Sequence, residues 1–182
     1  GVVTNNDDPK GLGRVKVKYP ALSDEAESDW ARVVSVGGGK ERGVEFLPEV
    51  NDEVLVAFEL GDANHPYVLG GLWNGVDTPP KKSSEVIASG KVKQRLIRSR
   101  TGHLVLLDDS DDAPGVTIKD RNGNLIHLDT KKDTLTVEVK GDVNVIAKGN
   151  ARVQAQQNLD MEGTNVKVTA KANLRLEGSA MV

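Results

Sequence analysis

The chain ends in a short-period repeat, and that repeat limits what it can fold into more than any other feature. Laid out from Thr134, the units are Thr134–Gly141, Asp142–Gly149, Asn150–Gln157, Asn158–Thr164, Asn165–Ala172 and Asn173–Ala180, each of eight residues except the fourth, which has seven. Position two is Leu, Val or Ala, and position four is Val, Met or Leu. Position six is small or β-branched: Val139, Ala147, Ala155, Gly163, Ala170 and Gly178. Alternation with period two points one row of side chains to one side of a strand. Asp or Asn opens five of the six units, and these side chains favour corners because they hydrogen-bond their own backbone. The spacing predicts short strands separated by corners, a solenoid or fibre whose units bury their face only against neighbours.

A lone chain cannot supply those neighbours. A single-chain β-helix takes roughly 20 residues per turn, so these units would make about two turns, fewer than the three or so repeats such a stack needs. Three chains, each giving one strand to a triangular cross-section, would stack every unit and leave no lateral edge open. The side chains expected on the trimer axis are Leu135, Val137, Val143, Val145, Val153, Leu159, Met161, Val166, Val168, Leu174 and Leu176. At ~4.8 Å per layer the rod would be roughly 30 Å long. The seven-residue unit Asn158–Thr164 should interrupt its twist or packing.

Upstream, short strands alternate with turn chemistry. Val15, Val17 and Tyr19 alternate with Arg14, Lys16 and Lys18; a second strand, Trp30–Val36, stops at Gly37-Gly38-Gly39. A third, Asp52–Leu60, stops at Gly61-Asp62, and a fourth, Pro66–Trp73, ends in Asn74-Gly75. Four or five such strands suit a small closed barrel. With aromatic residues at only 3% of 182, its core must be mostly Val, Leu, Ile and Ala. The Pro-rich segment Asp77–Ser84 marks a domain junction, and Asn122-Gly123 predicts a type I′ hairpin. The expected division is 1–76 barrel, 77–98 linker and first rod strand, 99–133 β transition segment and 134–182 octad rod, an all-β chain throughout.

Three stretches carry a resemblance to a known family: Gly1–Val17, Leu47–Phe58 and Gly61–Gly75. With Ile118–Asp129 and the octads following in order, the chain resembles the central spike of contractile injection systems, the group that includes phage baseplate spikes and the VgrG proteins of type VI secretion. The resemblance implies an OB-fold barrel followed by an intertwined trimeric β-helix. It also implies a homotrimer at the centre of a baseplate, joined to a hub or tail-tube protein at its N-terminal end and to a PAAR-repeat-type tip protein at its C-terminal end. Such a spike is driven through a target envelope, in a virion baseplate or phage-tail-like particle assembled in the bacterial cytoplasm, with release outside the cell as one route. No ring-forming hub domain precedes the barrel, so a separate hub protein or a trimmed chain is expected. No lysozyme-like insertion separates barrel and rod, so wall hydrolysis does not carry over. The His-x-His iron site of some phage tips is absent, since His65, His103 and His127 stand apart.

The residues point away from catalysis and cofactors. With no Cys and three scattered His, neither a thiolate nucleophile nor a zinc cluster can be built. Asp108-Asp109-Ser110-Asp111-Asp112 lacks the Gly and the closing Glu of a calcium loop, and reads as an exposed acidic turn. Gly37-Gly38-Gly39-Lys40 lacks the Ser or Thr of a phosphate cradle and reads as a hairpin loop. A net charge of −3 argues against a nucleic-acid partner. The alternative function is a ligand-binding barrel on a fibrous trimerisation stalk, using the basic stretch Lys91–Arg100 and Trp30 or Trp73 to hold an oligonucleotide or polysaccharide.

Overall fold

The computed structural model describes residues 1–21 and 27–178. Ser179 and Ala180, which close the sixth octad, and the tip end expected near Val182 lie outside the described residues. Gly1–Lys140 form one compact unit and Gly141–Val182 a second.

The first unit begins with five strands: β1 (Val2–Asn5), β2 (Lys16–Lys18), β3 (Arg32–Val33), β4 (Val54–Phe58) and β5 (Pro66–Gly71). β1 and β2 are antiparallel, with Val3 opposite Val17. β5 lies between β4, antiparallel, and β3, parallel. Short bridges close the ring. Val3 N donates to the Asp52 carbonyl at 3.0 Å and Asn51 N to the Val3 carbonyl at 2.8 Å, joining β1 to the start of β4. Val15 and Ala31 exchange both backbone hydrogen bonds, at 3.0 and 2.7 Å, joining β2 to β3. The order β1-β2-β3-β5-β4 and back to β1 is a closed barrel, so no lateral edge is left. Its centre holds Val3, Val15, Val17, Ala31, Val54 and Val68, all at or below 1% exposure, with Tyr19, Val33 and Val56 against them. Five Val and one Ala make a narrow core, as the scarcity of aromatic residues requires.

The loop from β1 to β2 is tied by one ion pair. Arg14 donates from Nε and Nη2 to the two oxygens of Asp8, at 2.9 and 2.7 Å, while the backbone N–H groups of Lys10 and Leu12 donate to the same carboxylate at 3.0 Å each. The Asp8 side chain is only 2% exposed, and the Arg14 guanidinium with these amides holds its carboxyl well below the usual range against the opposing effect of burial. The Arg14 guanidinium and the Lys16 ammonium both lie 5.8 Å from the centre of the Trp30 ring, so this tryptophan is occupied by cations of its own chain.

After a one-turn helix α1 (Ser83–Val86) and a small hairpin of β6 (Ile87–Ala88) and β7 (Lys91–Val92), five equal strands form an antiparallel sheet in chain order. They are β8 (Gln94–Arg98), β9 (Leu104–Asp108), β10 (Gly115–Lys119), β11 (Leu125–Asp129) and β12 (Thr134–Glu138). β12 is the strand of the first octad, and it pairs with β11 over Thr134–Glu138. The linker segment, the transition segment and the first octad, separated in the expected division, thus meet in one sheet, and the compact unit ends only after Lys140.

The β10–β11 hairpin forms where expected but not with a type I′ turn. Gly123 has φ +96°, whereas Asn122 does not have positive φ, which type I′ demands of both central residues. The Asp120 carboxylate accepts from the backbone N–H groups of Asn122 and Asn124, each at 2.9 Å, and from the Asn124 side chain at 2.7 Å. Those bonds favour a three-residue loop with a single left-handed glycine.

Two outcomes test this arrangement. A Cβ on Gly115 would stand 2.2 Å from the Leu128 carbonyl oxygen across the ladder, whereas one on Gly141 would meet nothing within 4 Å. Gly115→Ala should destabilise the sheet by about 2 kcal/mol or more, read as a fall in Tm, and Gly141→Ala should leave Tm unchanged. For Asp8, the unfolded carboxyl titrates near about 4. The native value is depressed, so the pair's contribution is complete above that pH and is lost as pH falls toward the native value. Asp8→Asn should lower Tm at about pH 7, and the difference from the parent should shrink below about pH 4 in calorimetry; a constant difference would contradict the ion-pair reading.

Candidate interaction surfaces

Reactive groups do not converge in the described residues. His65 lies 3.0 Å from Asp62 in the β4–β5 turn, and His127 lies 2.9 Å from the Thr117 hydroxyl on the five-stranded sheet. No three His, Asp or Glu among the described residues stand close enough to share a metal ion. In the acidic turn, burial pushes the Asp108 carboxyl up, but bonds from Ser110 and Gln94 outweigh it and leave the group below its ordinary value. Gln94 Nε2 donates to Asp108 at 2.6 Å, and the Ser110 N–H donates at 2.9 Å. Gly39 and Arg42 pair across a tight turn made by Lys40 and Glu41, so the triple glycine leads into a hairpin there.

The basic stretch Lys91–Arg100 forms β7, β8 and the turn after them, and several of its charges are met within the chain. Arg95 pairs with Asp109 at 2.5 Å and Arg100 with Glu49 at 2.9 Å. Trp73, 70% exposed, lines a cleft of about 560 Å³ with Phe46, Ile97, Arg98 and Arg100.

The five-stranded sheet has two unlike faces. Residues directly opposite in antiparallel strands share a face, and the register aligns Ile97, Val105, Ile118, Ile126 and Val137 in one row across all five strands. Two residues along each strand, on the same face, a second row holds Arg95, Leu107, Val116, Leu128 and Leu135. Nine of these ten positions are apolar, yet eight of the nine are between 37% and 63% exposed, and Val116 is half-buried. The opposite face mixes Leu96, Leu106, Thr117, His127 and Thr136. The linker reaches that side: Lys81 Nζ donates to the Gln94 side chain at 2.5 Å, and Lys81 and Pro80 line a recess with Leu96 and Leu104. The chain thus covers part of its mixed face and leaves the apolar one open.

In the second unit, bends occur at residues 148–149, 156–157, 164 and 171–172, where the octad units end; the seven-residue unit ends on Thr164 alone. Among the described residues 142–178 no strand is formed and no backbone group bonds to another. Here too Val143, Val145, Val153, Leu159, Met161, Val166, Val168, Leu174 and Leu176 are 54% to 87% exposed. Sequence reasoning selected Leu135 and Val137 in the first unit, at 63% and 56% exposure, but missed the seven other apolar residues of the sheet face. The signal was present: β8 to β12 each carry the face at their second and fourth positions, the spacing of the octads.

Residues 1–73 match the family described as the type VI secretion system/phage-baseplate injector OB domain. Type VI secretion system spike protein VgrG3 of Vibrio cholerae is 36% identical over 73 residues, covering 38% of this chain and 7% of that protein. Spike protein VgrG2a of Pseudomonas aeruginosa is 26% identical over 121 residues, 64% of this chain and 14% of that protein. VgrG5 of the same organism is 40% identical over 72 residues, 37% of this chain and 9% of that protein. The match therefore spans 7% to 14% of these relatives. A closed five-stranded barrel with this sequence is an injector OB domain. Through it, the chain is similar to the VgrG spike proteins of type VI secretion systems.

The acidic turn yields a prediction. Its best-placed carboxylate is already held by Gln94 and Ser110, so Tm in millimolar calcium should equal Tm in chelator; stabilisation growing with calcium would reassign the turn as a cation site.

Proposed function

We propose that the chain is a structural spike: a homotrimer at the centre of a contractile injection machine, mechanical rather than catalytic. The observation that carries this reading is the segment after Lys140. Among its described residues it has regular bends, exposed apolar side chains and no backbone pairing of its own, and it comes after an injector OB domain in the sequence. Such a segment gains burial and hydrogen bonds together only when other chains lie beside it. Three copies supply both, with the octads as an intertwined β-helix and Leu135, Val137, Val143, Val145, Val153, Leu159, Met161, Val166, Val168, Leu174 and Leu176 on the axis. The barrel end would meet a hub or tail-tube protein, and the C-terminal end a PAAR-repeat-type cap or effector. The envelope would be met by force. The machine is a virion baseplate, a type VI system or a phage-tail-like particle assembled in the bacterial cytoplasm and, in the last case, released.

One observation favours a second reading, a ligand-binding barrel on a trimerisation stalk: the open cleft with Trp73 and Phe46 beside Arg98 and Arg100. Stacking platforms with flanking cations suit single strands or sugars. Salt-dependent binding of an oligonucleotide or polysaccharide, lost in Trp73→Ala, would favour it.

Light scattering on the purified chain should give three times 19.5 kDa. Placing an unpaired charge on the axis with Val153→Asp and Val166→Asp should remove the protease resistance of the octads, since a buried lone carboxylate is costly. A monomer with a protease-resistant octad segment would sink the trimeric reading.

A further inference from the structure

We infer that the three copies first associate through the apolar face of the five-stranded sheet, and that the octads then zip onto this preformed collar from Gly141 onward; the inference rests on the trimeric reading above. The partner of that face is the same face of two further copies.

Geometry comes first. The sheet's strands carry their inward residues at positions two and four, as the octads do, and Leu135 and Val137 belong to both patterns. A cross-section that accepts the octads therefore accepts the sheet strands, with Val105, Ile118, Ile126 and Leu128 above Leu135 and Val137. The face also suits copies of itself better than a foreign chain. Its one charged member, Arg95, lies on the edge strand and is paired with Asp109 of its own chain, so the other nine positions offer a partner only apolar surface.

Order of events follows from what is already paid in conformational entropy. Each sheet strand is hydrogen-bonded to neighbours of its own chain, through four ladders of five residue pairs. Two such faces lose little further backbone freedom when they meet. The octads have no backbone partner within residues 142–178, so every residue must be ordered as it binds. An encounter starting there opposes its own gain until several units have formed. Once three sheets are joined, the chain ends emerging from them are held near one another at high effective concentration, and each octad adds to a layer already in place.

Because the chain contains no Cys, single-Cys variants of the full chain report contacts between copies without background. Refolding would be started by dilution from denaturant, with copper-phenanthroline pulses resolved on non-reducing gels. The Ile126→Cys chain should cross-link between copies at least tenfold sooner than the Val166→Cys chain, and Thr136→Cys, on the opposite face, should stay at the uncross-linked level. At equilibrium, Val153→Asp with Met161→Asp should leave the mass at three copies while freeing the octads to protease. Ile118→Asp with Ile126→Asp should lower the mass to one copy while the barrel's tryptophan signal is kept. Octad cross-links that precede sheet cross-links overturn the inference, as does a trimer that survives the sheet variant but not the octad variant. Should Ile118→Asp with Ile126→Asp fail to fold, the order of cross-linking decides alone. A parent chain that is monomeric throughout overturns the trimeric reading itself.

Discussion

Everything in this molecule turns on strands that are apolar on one side and the question of what covers that side. A pleated strand presents alternate residues to opposite faces, and a face of Val, Ile and Leu left in water forgoes roughly 25 cal/mol for each Å² it could bury. The barrel solves this internally. Its strands curl until Val3, Val15, Val17, Ala31, Val54 and Val68 cover one another, and closure removes the edges that could recruit other chains. The five-stranded sheet and the octads do not solve it within one chain. Their apolar rows stand open, and the same two-per-strand spacing runs through both.

That contrast explains the division of labour. A barrel sealed by its own core and by the Asp8–Arg14 clamp covers its apolar residues within a single chain. The sheet and the octads, by contrast, leave their apolar rows exposed in a single chain.

The octads were legible because corner residues and apolar residues recur at a fixed interval, and both are local properties. Barrel strands were legible for the same reason: Gly-marked stops and period-two alternation bracketed β2, β4 and β5, although β3 shrank from Trp30–Val36 to Arg32–Val33. The hairpin at Asn122-Gly123 was legible as a turn but not as a turn type, because the deciding bonds come from the Asp120 carboxylate rather than from the central dipeptide.

What local pattern could not settle was pairing. Thr134–Glu138 read as the first unit of the rod from composition and spacing, and in the fold it is the edge strand of a sheet whose other members lie as far back as Gln94. Which strand an apolar face lies beside is a long-range choice, made by hairpin closure and by the register that aligns Ile97, Val105, Ile118, Ile126 and Val137. Order along the chain was enough to determine an all-β molecule with a barrel filled mostly by Val and a tail that repeats at a fixed interval. Only the folded arrangement decided that the five strands from Gln94 to Glu138 share one open apolar face, because alternation assigns side chains to a face while hydrogen-bond register alone assembles faces into a surface.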